Sequence, residues 1–356
     1  MTMRVLIVYD HVPDDAAPDQ ADALVQARAI SNALETLGHE WMTLGVTLDL
    51  EAARDAIARL APDLVFNLVE SLGGSGRLIH ALPALLDAMG VPYTGASAEA
   101  QFITSHKPLA KRLLAAEHIA TPDFMTLDKL RQTLAMDTGE RLAAKRWILK
   151  SIWEHASIGL DASSVIDTNH VATILRELEA RLDRLGGAGF AEEYIDGREF
   201  NISLLGRGEE VTPGVWMPQV LPPAEIAFRE QSKWGGRPKI VNYDCKWNED
   251  SFEYQNTERV FEFSEDDGPL LERLTQIARA CWVIFELRGY ARVDFRVDAN
   301  GEPWMLEVNT NPCLSPDAGF AFALQRADIA YSDAIGRIID DAMSRAGGTH
   351  AAARSP

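Results

Sequence analysis

The sequence predicts an α/β protein that turns α+β along its length, opening on a parallel sheet and ending in antiparallel strands. Three observations predict it. Strand and helix signals alternate through roughly the first hundred residues, a Gly-rich joint interrupts the chain at residues 186–189, and residues 290–312 read as a hairpin. With 356 residues the chain has room for two or three domains at roughly 100–200 residues each.

The elements follow in order. Residues 4–9 are a continuous apolar run, as in a strand covered on both faces. Leu24, Ala27, Ile30, Leu34 and Leu37 keep helical spacing, and Gly38 suits the end of that helix. A second strand is expected over 64–69, then a Gly-rich turn at 73–76, then a helix over 78–89 stopped by Gly90. The turn lacks the Lys-Ser/Thr of a phosphate loop and the spacing of a dinucleotide fingerprint, so a phosphate cradle and a plain tight turn both stand.

Ser105 is expected to cap a helix over 106–118, with Pro108 in its first turn. A strand over 147–150, a polar loop over 151–159 and a helix over 168–185 lead to the glycine joint, where a domain boundary is expected. Strands are expected over 190–195, 199–205 and 211–215. Residues 230–255 have little periodicity and read as a long functional loop. Ser264 is expected to cap a long helix ending near Gly289, and residues 347–356 have the composition of a frayed tail.

Net charge is −19, which excludes non-specific attraction to nucleic acid or to an anionic membrane surface. No apolar run approaches the ~20 residues of a membrane helix, and the run at 5–9 is too short for a signal-peptide core. Cys245, Cys281 and Cys313 are odd in number and widely spaced, which is expected of reduced thiols in a cytoplasmic protein.

The hairpin carries the most chemistry. A two-residue turn at Asn300-Gly301 sets Ala299 opposite Glu302, Asp294 opposite Glu307 and Arg292 opposite Asn309. One face then holds Arg292, Asp294, Glu307 and Asn309, and the other holds Val293, Phe295, Leu306 and Val308. Directly opposed carboxylates repel unless a cation lies between them. Asp, Glu and Asn oxygens suit Mg²⁺, and a solvated polar face is the plainer alternative.

From this hairpin outward the sequence resembles the ATP-grasp superfamily and, within it, the D-alanine–D-alanine ligase group. The matching stretches are VPYTGAS (91–97), SHKPLAKRLL (105–114), ILK (148–150), AEEYIDGREFNISLLG (191–206), CKW (245–247), ARVDFRV (291–297) and LEVNTNP (306–312). The resemblance implies three domains: an N-terminal open parallel sheet over 1–103, a small central α+β unit over 104–190, and a mainly antiparallel catalytic unit with helices over 191–346. A disordered tail over 347–356 follows. It also implies ATP and two Mg²⁺ ions, with Mn²⁺ able to replace them, and a possible homodimer.

Residue by residue, the resemblance implies that Lys107 and Lys150 touch ATP phosphates. Glu192, Glu193, Tyr194 and Ile195 are implied as the adenine-receiving strand, Glu199 as the ribose acid and Leu306 as a further nucleotide contact. Lys246 is implied as a phosphate-contacting lysine on a mobile loop, Ser157 as a phosphate contact, and Arg292 as the group that steadies the reacting carboxylate and oxyanion. Asp294, Glu307 and Asn309 are implied as metal ligands.

Several amino-acid-contacting positions depart from the group. His155-Ala156-Ser157 stands where a Gly-Ser-Ser-like loop is usual, Trp247 replaces a tyrosine, and Glu70 replaces a histidine. Residues 10–20 replace a Gly-rich, Glu-containing signature, Cys313 replaces a glycine, and the acceptor-site serine falls near Ala318. Glu70, Trp247 and Cys313 are therefore substrate-contact candidates, Glu70 for an ammonium and Cys313 as a pocket wall.

The expected reaction joins an amino-acid-like carboxylate to an amine, with ATP converting the carboxylate to an acyl phosphate. Loops 151–159 and 230–255 are expected to exclude water. Genuine D-alanyl-D-alanine synthesis and a nucleotide-binding protein without turnover are the alternatives.

Overall fold

The computed structural model describes residues 2–136, 142–144, 146–229 and 234–352. The chain begins with β1 (Arg4–Asp10), α1 (Pro18–Thr36), β2 (Glu40–Val46), α2 (Leu50–Leu60), β3 (Leu64–Asn67) and α3 (Ala81–Met89). The three strands form a parallel sheet in the order β2-β1-β3. Val5 to Val8 are fully buried because helices cover both faces of β1. One face packs on Ile30 and Leu34 of α1, the other on Ile57 of α2 and Leu82 and Leu86 of α3. The strand β2 was not expected: as an edge strand its side chains are mostly exposed or half-buried, so it carries no apolar run.

Next come α4 (Ala98–Ser105), α5 (Lys107–Ala116), β4 (Phe124–Thr126), α6 (Leu127–Ala135), β5 (Arg146–Ser151), β6 (Val165–Asp167), α7 (Val171–Glu179) and β7 (Gly189–Glu193). These strands form an antiparallel sheet in the order β4-β7-β5-β6, backed by Leu130 of α6 and Ile174 and Leu178 of α7. Two expectations are corrected. Ser105 ends α4, and the cap of α5 is His106, whose ring nitrogen accepts from Leu109 N at 3.1 Å. The helix expected over 168–185 stops at Glu179, and a 3-10 turn, Leu182–Leu185, completes the span. A division between 190 and 191 would fall inside β7.

The remainder is β8 (Arg198–Thr212), β9 (Val215–Val220), β10 (Ala224–Phe228), α8 (Asp244–Trp247), α9 (Phe252–Gln255), β11 (Thr257–Val260), α10 (Gly268–Ile284), β12 (Tyr290–Val297), β13 (Pro303–Asn309), α11 (Gly319–Arg326) and α12 (Tyr331–Ala352). The last sheet runs β11-β10-β8-β12-β13, with β9 paired to β8. Of residues 211–215, expected as one strand, Val211 and Thr212 end β8, Val215 opens β9, and residues 213–214 make the turn between them, with Gly214 at φ +80°. Within the expected loop 230–255, residues 230–233 lie outside the described residues and the rest includes α8 and α9. Ser264 caps a 3-10 turn leading into α10, which ends at Ile284 rather than near 289. The helix α12 runs through 347–352, where a frayed tail was expected; residues 353–356 of that tail lie outside the described residues.

One face of β8 and β12 buries Phe200, Ile202, Val293 and Phe295 against Leu274, Ala278 and Phe285. The opposite face is polar and looks into a cavity between the three sheets. Asn311 joins the first sheet to the last: its Nδ2 donates to Val69 O at 3.1 Å and its Oδ1 accepts from Tyr290 OH at 2.5 Å. Among the described residues, no helix is long and apolar enough to cross a membrane.

Candidate active site

A single cavity of about 1530 Å³ is lined by every site residue the sequence singles out. It exceeds the roughly 300–1,000 Å³ of ordinary ligand pockets, which leaves room for more than one substrate.

The hairpin register is as expected where it matters, for a different reason. Arg292 pairs with Asn309 and Asp294 with Glu307. The turn, however, holds three residues: Gly301 N donates to Asp298 O at 3.0 Å, Asp298 N donates to Glu302 O at 3.1 Å, and only Gly301 takes positive φ. That turn displaces the pairing by one residue, so Phe295 faces Met305. A bulge then restores the register before Asp294. Leu306, expected on the core face opposite Phe295, is therefore half-buried and lines the cavity, and Met305 takes its place in the core.

Asp294 is held firmly. Its Oδ1 accepts from Arg292 Nε at 2.7 Å and Asn201 Nδ2 at 2.8 Å, and its Oδ2 from Arg292 Nη2 at 2.8 Å. Glu307 accepts no hydrogen bond among the described residues; Lys107 Nζ stands 3.8 Å away. Burial alone would raise the Glu307 pKa. The charges of Lys107, His155, Lys150 and Arg292 outweigh it and hold the group down at about 2. An ionised, uncommitted carboxylate opposite a second carboxylate, with the Asn309 amide on the same face, fits a hard divalent ion completed by water and phosphate oxygens. Among the described residues, no third carboxylate, histidine or cysteine completes a protein-only cage.

The strand β5 places Leu149 in the core and Lys150 in the cavity, as alternation requires. Lys150 Nζ donates to Glu192 Oε2 at 2.6 Å, and Lys111 Nζ lies 2.5 Å from Glu192 Oε1. Glu192 and Lys111 are fully buried. Burial raises the Glu192 pKa, and the two lysines reverse that and lower it. Both Glu192 oxygens are thus engaged by lysines. Lys107 is buried too and donates to Glu154 O at 2.8 Å; desolvation lowers its pKa. Lys246 remains open to the cavity, near Arg292, Glu307 and Asp294.

Ile148, Tyr194 and Ile240 form a small apolar cluster at the edge of the central sheet. The Tyr194 ring has Arg146 4.5 Å from its centroid and Arg296 at 5.8 Å, and its hydroxyl donates to Lys239 O at 3.2 Å. Tyr194, Ile148 and Ile240 all line the cavity, so this cluster is an apolar patch of its wall. Glu193 and Ile195 line the cavity beside it. Glu199 lies 2.9 Å from Arg296, and burial raises its pKa.

The end formed by the first sheet is acidic. Asp10 Oδ2 accepts from the backbone N–H groups of Glu70 at 3.1 Å and Ser71 at 3.0 Å. Burial raises the Asp10 pKa to about 6, and burial with the Asp10 charge raises that of Glu70 to about 7. Cys313 Sγ donates to Asp22 Oδ2 at 3.0 Å, and burial and Asp22 push its thiol pKa up, so it is a wall and not a nucleophile.

Two loops meet over the cavity. Ala156 and Ser157 both take positive φ, and Ser157 Oγ donates to Val241 O at 2.7 Å. Gly159 takes φ +74°, and a Cβ there would lie 2.3 Å from Arg184 O, so only glycine fits. Tyr243 OH donates to Asp19 Oδ1 at 3.0 Å, joining the second loop to α1. Trp247 lines the cavity between them. Gly76 N, in the Gly-rich turn, donates to the Glu154 carboxylate, with the two N–O distances 3.2 and 3.1 Å, so that turn binds a side chain of the chain itself.

Three residues went unrecognised in the sequence. Lys111 could have been found, because it follows Lys107 by four positions on a helix face otherwise apolar. His155, whose Nε2 is 3.1 Å from Ser105 Oγ, is half-buried with its Nδ1 covered, and desolvation lowers its pKa to about 4 and leaves it neutral at pH 7. Arg259, on β11, carries no pattern that marks it.

Comparison with known proteins agrees with this geometry. A family model described as "D-ala D-ala ligase C-terminus" matches residues 113–340. A protein of Sinorhizobium fredii, "Uncharacterized protein y4sG", is 29% identical over 325 residues, 90% of this chain and 88% of that one. A D-alanine–D-alanine ligase of Moorella thermoacetica is 28% identical over 331 residues, 90% of this chain and 94% of its own. A crystal structure of D-alanine–D-alanine ligase from Bacillus anthracis complexed with ATP shares the fold, with TM-score 0.66 and 18% identity over 98% of this chain and 99% of that one. The chain therefore belongs to the D-alanine–D-alanine ligase family of ATP-grasp proteins, as an ATP-dependent, ADP-forming ligase of C–N bonds.

Proposed function

We propose that the protein joins an amino-acid-like carboxylate to an amine through an acyl phosphate, with a pocket altered from that of a D-alanine–D-alanine ligase. A substrate carboxylate oxygen attacks the γ-phosphorus of ATP and ADP leaves. The amine nitrogen then attacks the acyl carbon, loses a proton, and the C–O bond breaks to release phosphate. A free carboxylate has no good leaving group, and phosphorylation provides one.

The observation that carries this reading is the shared wall of Asp294, Glu307 and Asn309 with Arg292 and three lysines. Asp294, Glu307 and Asn309 would hold Mg²⁺, or Mn²⁺ in its place, and two ions suit the charge of a triphosphate; such ions supply charge neutralisation at the phosphates. Lys107, Lys150 and Lys246 neutralise the remaining phosphate charge, and Arg292 stabilises the developing oxyanion. Ile148 and Ile240 take the purine, with Glu193 to Ile195 and Leu306 beside it and Glu199 toward the ribose. Glu192 acts by fixing Lys150.

The changed positions Glu70, Cys313, Trp247 and Ala156 all line the same cavity. Glu70 and Asp10 suit a substrate ammonium. Loops 151–159 and 234–255 keep water from the acyl phosphate. Three structural units, 1–103, 104–193 and 194–352, describe the chain best. A homodimer is compatible with it. The three free thiols suit a cytoplasmic setting.

The second reading, D-alanyl-D-alanine synthesis, is favoured by the names of the curated relatives. Phosphate release from ATP and Mg²⁺ with D-alanine alone, against a panel of amino-acid pairs, decides between them. Turnover with another pair and none with D-alanine supports the altered pocket; D-alanine as the best sole substrate overturns it.

A further inference from the structure

Arg259 is built into the cavity wall beside Phe322. It makes no ion pair or hydrogen bond among the described residues, and its Nε is fully covered and unsatisfied. Its guanidinium carbon lies 5.2 Å from the centroid of Phe322, and a Cβ on Gly319 would meet its Nε at 3.2 Å. It is thus braced against the first turn of α11, whose N-cap position is Ala318, with no side-chain cap. Burial lowers its pKa, and the charged groups that act on it are Arg292 and Asp317, not Lys107 or Lys150. Asp317 lines the same wall and forms no ion pair with it. Arg292 is already paired with Asp294, whereas the partly desolvated Arg259 feels the Asp317 charge without an ion pair to it, so an anion bound at Arg259 would complete its pairing.

We propose that Arg259 is a specificity-determining residue that binds a carboxylate of the amine substrate, between Arg292 and the Ala318–Gly319 end of α11. This deepens the ligase reading and rests on it. A planar guanidinium matches a carboxylate through two N–H groups, and the uncapped N–H groups of α11 face the same sign of charge. The nucleotide phosphates are served by the lysines on the other side of Arg292. Asp22 and Glu70 border Cys313 as well. A substrate carrying both an ammonium and a carboxylate therefore finds opposite charges on either side of that residue. The amine substrate is an amino acid, not a simple amine or an amide.

The test compares each amino acid active as the amine with its carboxamide, in wild type, Arg259→Gln and Arg259→Lys. ADP formation is measured in the presence of ATP and Mg²⁺. Calorimetric binding of the same compounds is measured with a non-hydrolysable ATP analogue. Wild type should favour the carboxylate over the carboxamide by roughly 10- to 100-fold in KM and in Kd. Arg259→Gln should treat the two alike with kcat at saturation within a few-fold of wild type, and Arg259→Lys should keep part of the preference. Equal use of both compounds by wild type, or an unchanged preference in Arg259→Gln, overturns the assignment. If Arg259→Gln does not fold, an undiminished preference in Arg259→Lys overturns it too, because a point charge cannot reproduce the fork. Absence of ADP formation with every pair rejects the ligase reading, while the calorimetric preference still decides the role of Arg259.

Discussion

Glu307 stands opposite Asp294 across β12 and β13 and 3.8 Å from Lys107 Nζ, so one carboxylate meets a second carboxylate and an ammonium on the same cavity wall. Charge of both signs is concentrated where a triphosphate and its metal would need it.

Glu307→Gln should lower turnover roughly 100-fold or more, the scale of losing one preorganised charge partner. The Mg²⁺ requirement should rise with it. Unfolding titrations should show a smaller effect, about 1–3 kcal/mol at pH 7. The sign follows from the depressed pKa: the ionised group stabilises the fold above about 4.5, and that contribution is lost as pH falls toward about 2. The variant should lack that acid-side slope. Full phosphate release at ordinary Mg²⁺ would remove Glu307 from the metal site.

Glu192→Ala should be among the most destabilising single changes in the central sheet. It leaves Lys111 and Lys150 facing each other in a buried place, at a cost of about 3–5 kcal/mol in chemical denaturation. Lys111→Met should cost less, since Glu192 keeps Lys150. Equal destabilisation by the two would show that the three charges do not act as a unit.

Glu70→Gln separates stability from binding. Burial first, and then the Asp10 charge, raise the Glu70 pKa from 4.5 to about 7, so ionising it costs folding energy. The cost is absent below about pH 4.5, grows through about 7 and is complete above it. The variant should therefore be more stable than wild type at pH 8, by about 2–3 kcal/mol, and no more stable at pH 4. If Glu70 holds a substrate ammonium, KM for that substrate should rise in the same variant. A stability gain with unchanged KM for both substrates would assign Glu70 a role without ligand contact.

Ser157→Ala removes the hydroxyl bond to Val241 that joins the two loops, a loss of about 1 kcal/mol. Residues 240–256 should be cut several-fold faster by a protease, and more ATP should be hydrolysed per amide bond formed. Unchanged cleavage and coupling would mean that the two loops close independently.

Much of the site was legible because its chemistry lies in short local patterns. The hairpin identified Asp294 and Glu307 as facing groups, yet through two departures that cancel: the loop is one residue longer than Asn300-Gly301 suggests, and the bulge at Leu306 absorbs the extra residue. Alternation alone cannot reveal a bulge, so Leu306 was placed on two faces at once. The core of β1 was plain because both faces are covered, while β2 was hidden because an edge strand needs no apolar run. Lys111 and Arg259 were missed for a shared reason. A lysine or arginine reads as solvated until the structure shows what surrounds it, and long-range packing buries Lys111 and covers the Nε of Arg259.

Asn311 gives the cavity one side that does not yield. Because its amide bonds both Val69 and Tyr290, β3 and the β12–β13 hairpin are bolted together behind the pocket. A gape that admits substrates would then fall to the opposite jaw, where β5, β7 and the strap around Val241 are tied to the rest of the molecule by side-chain links such as Tyr243 to Asp19 and Ser105 to His155. On the proposed assignment, the end that would choose the amino acid stays rigid and the end that would grip the nucleotide does the moving.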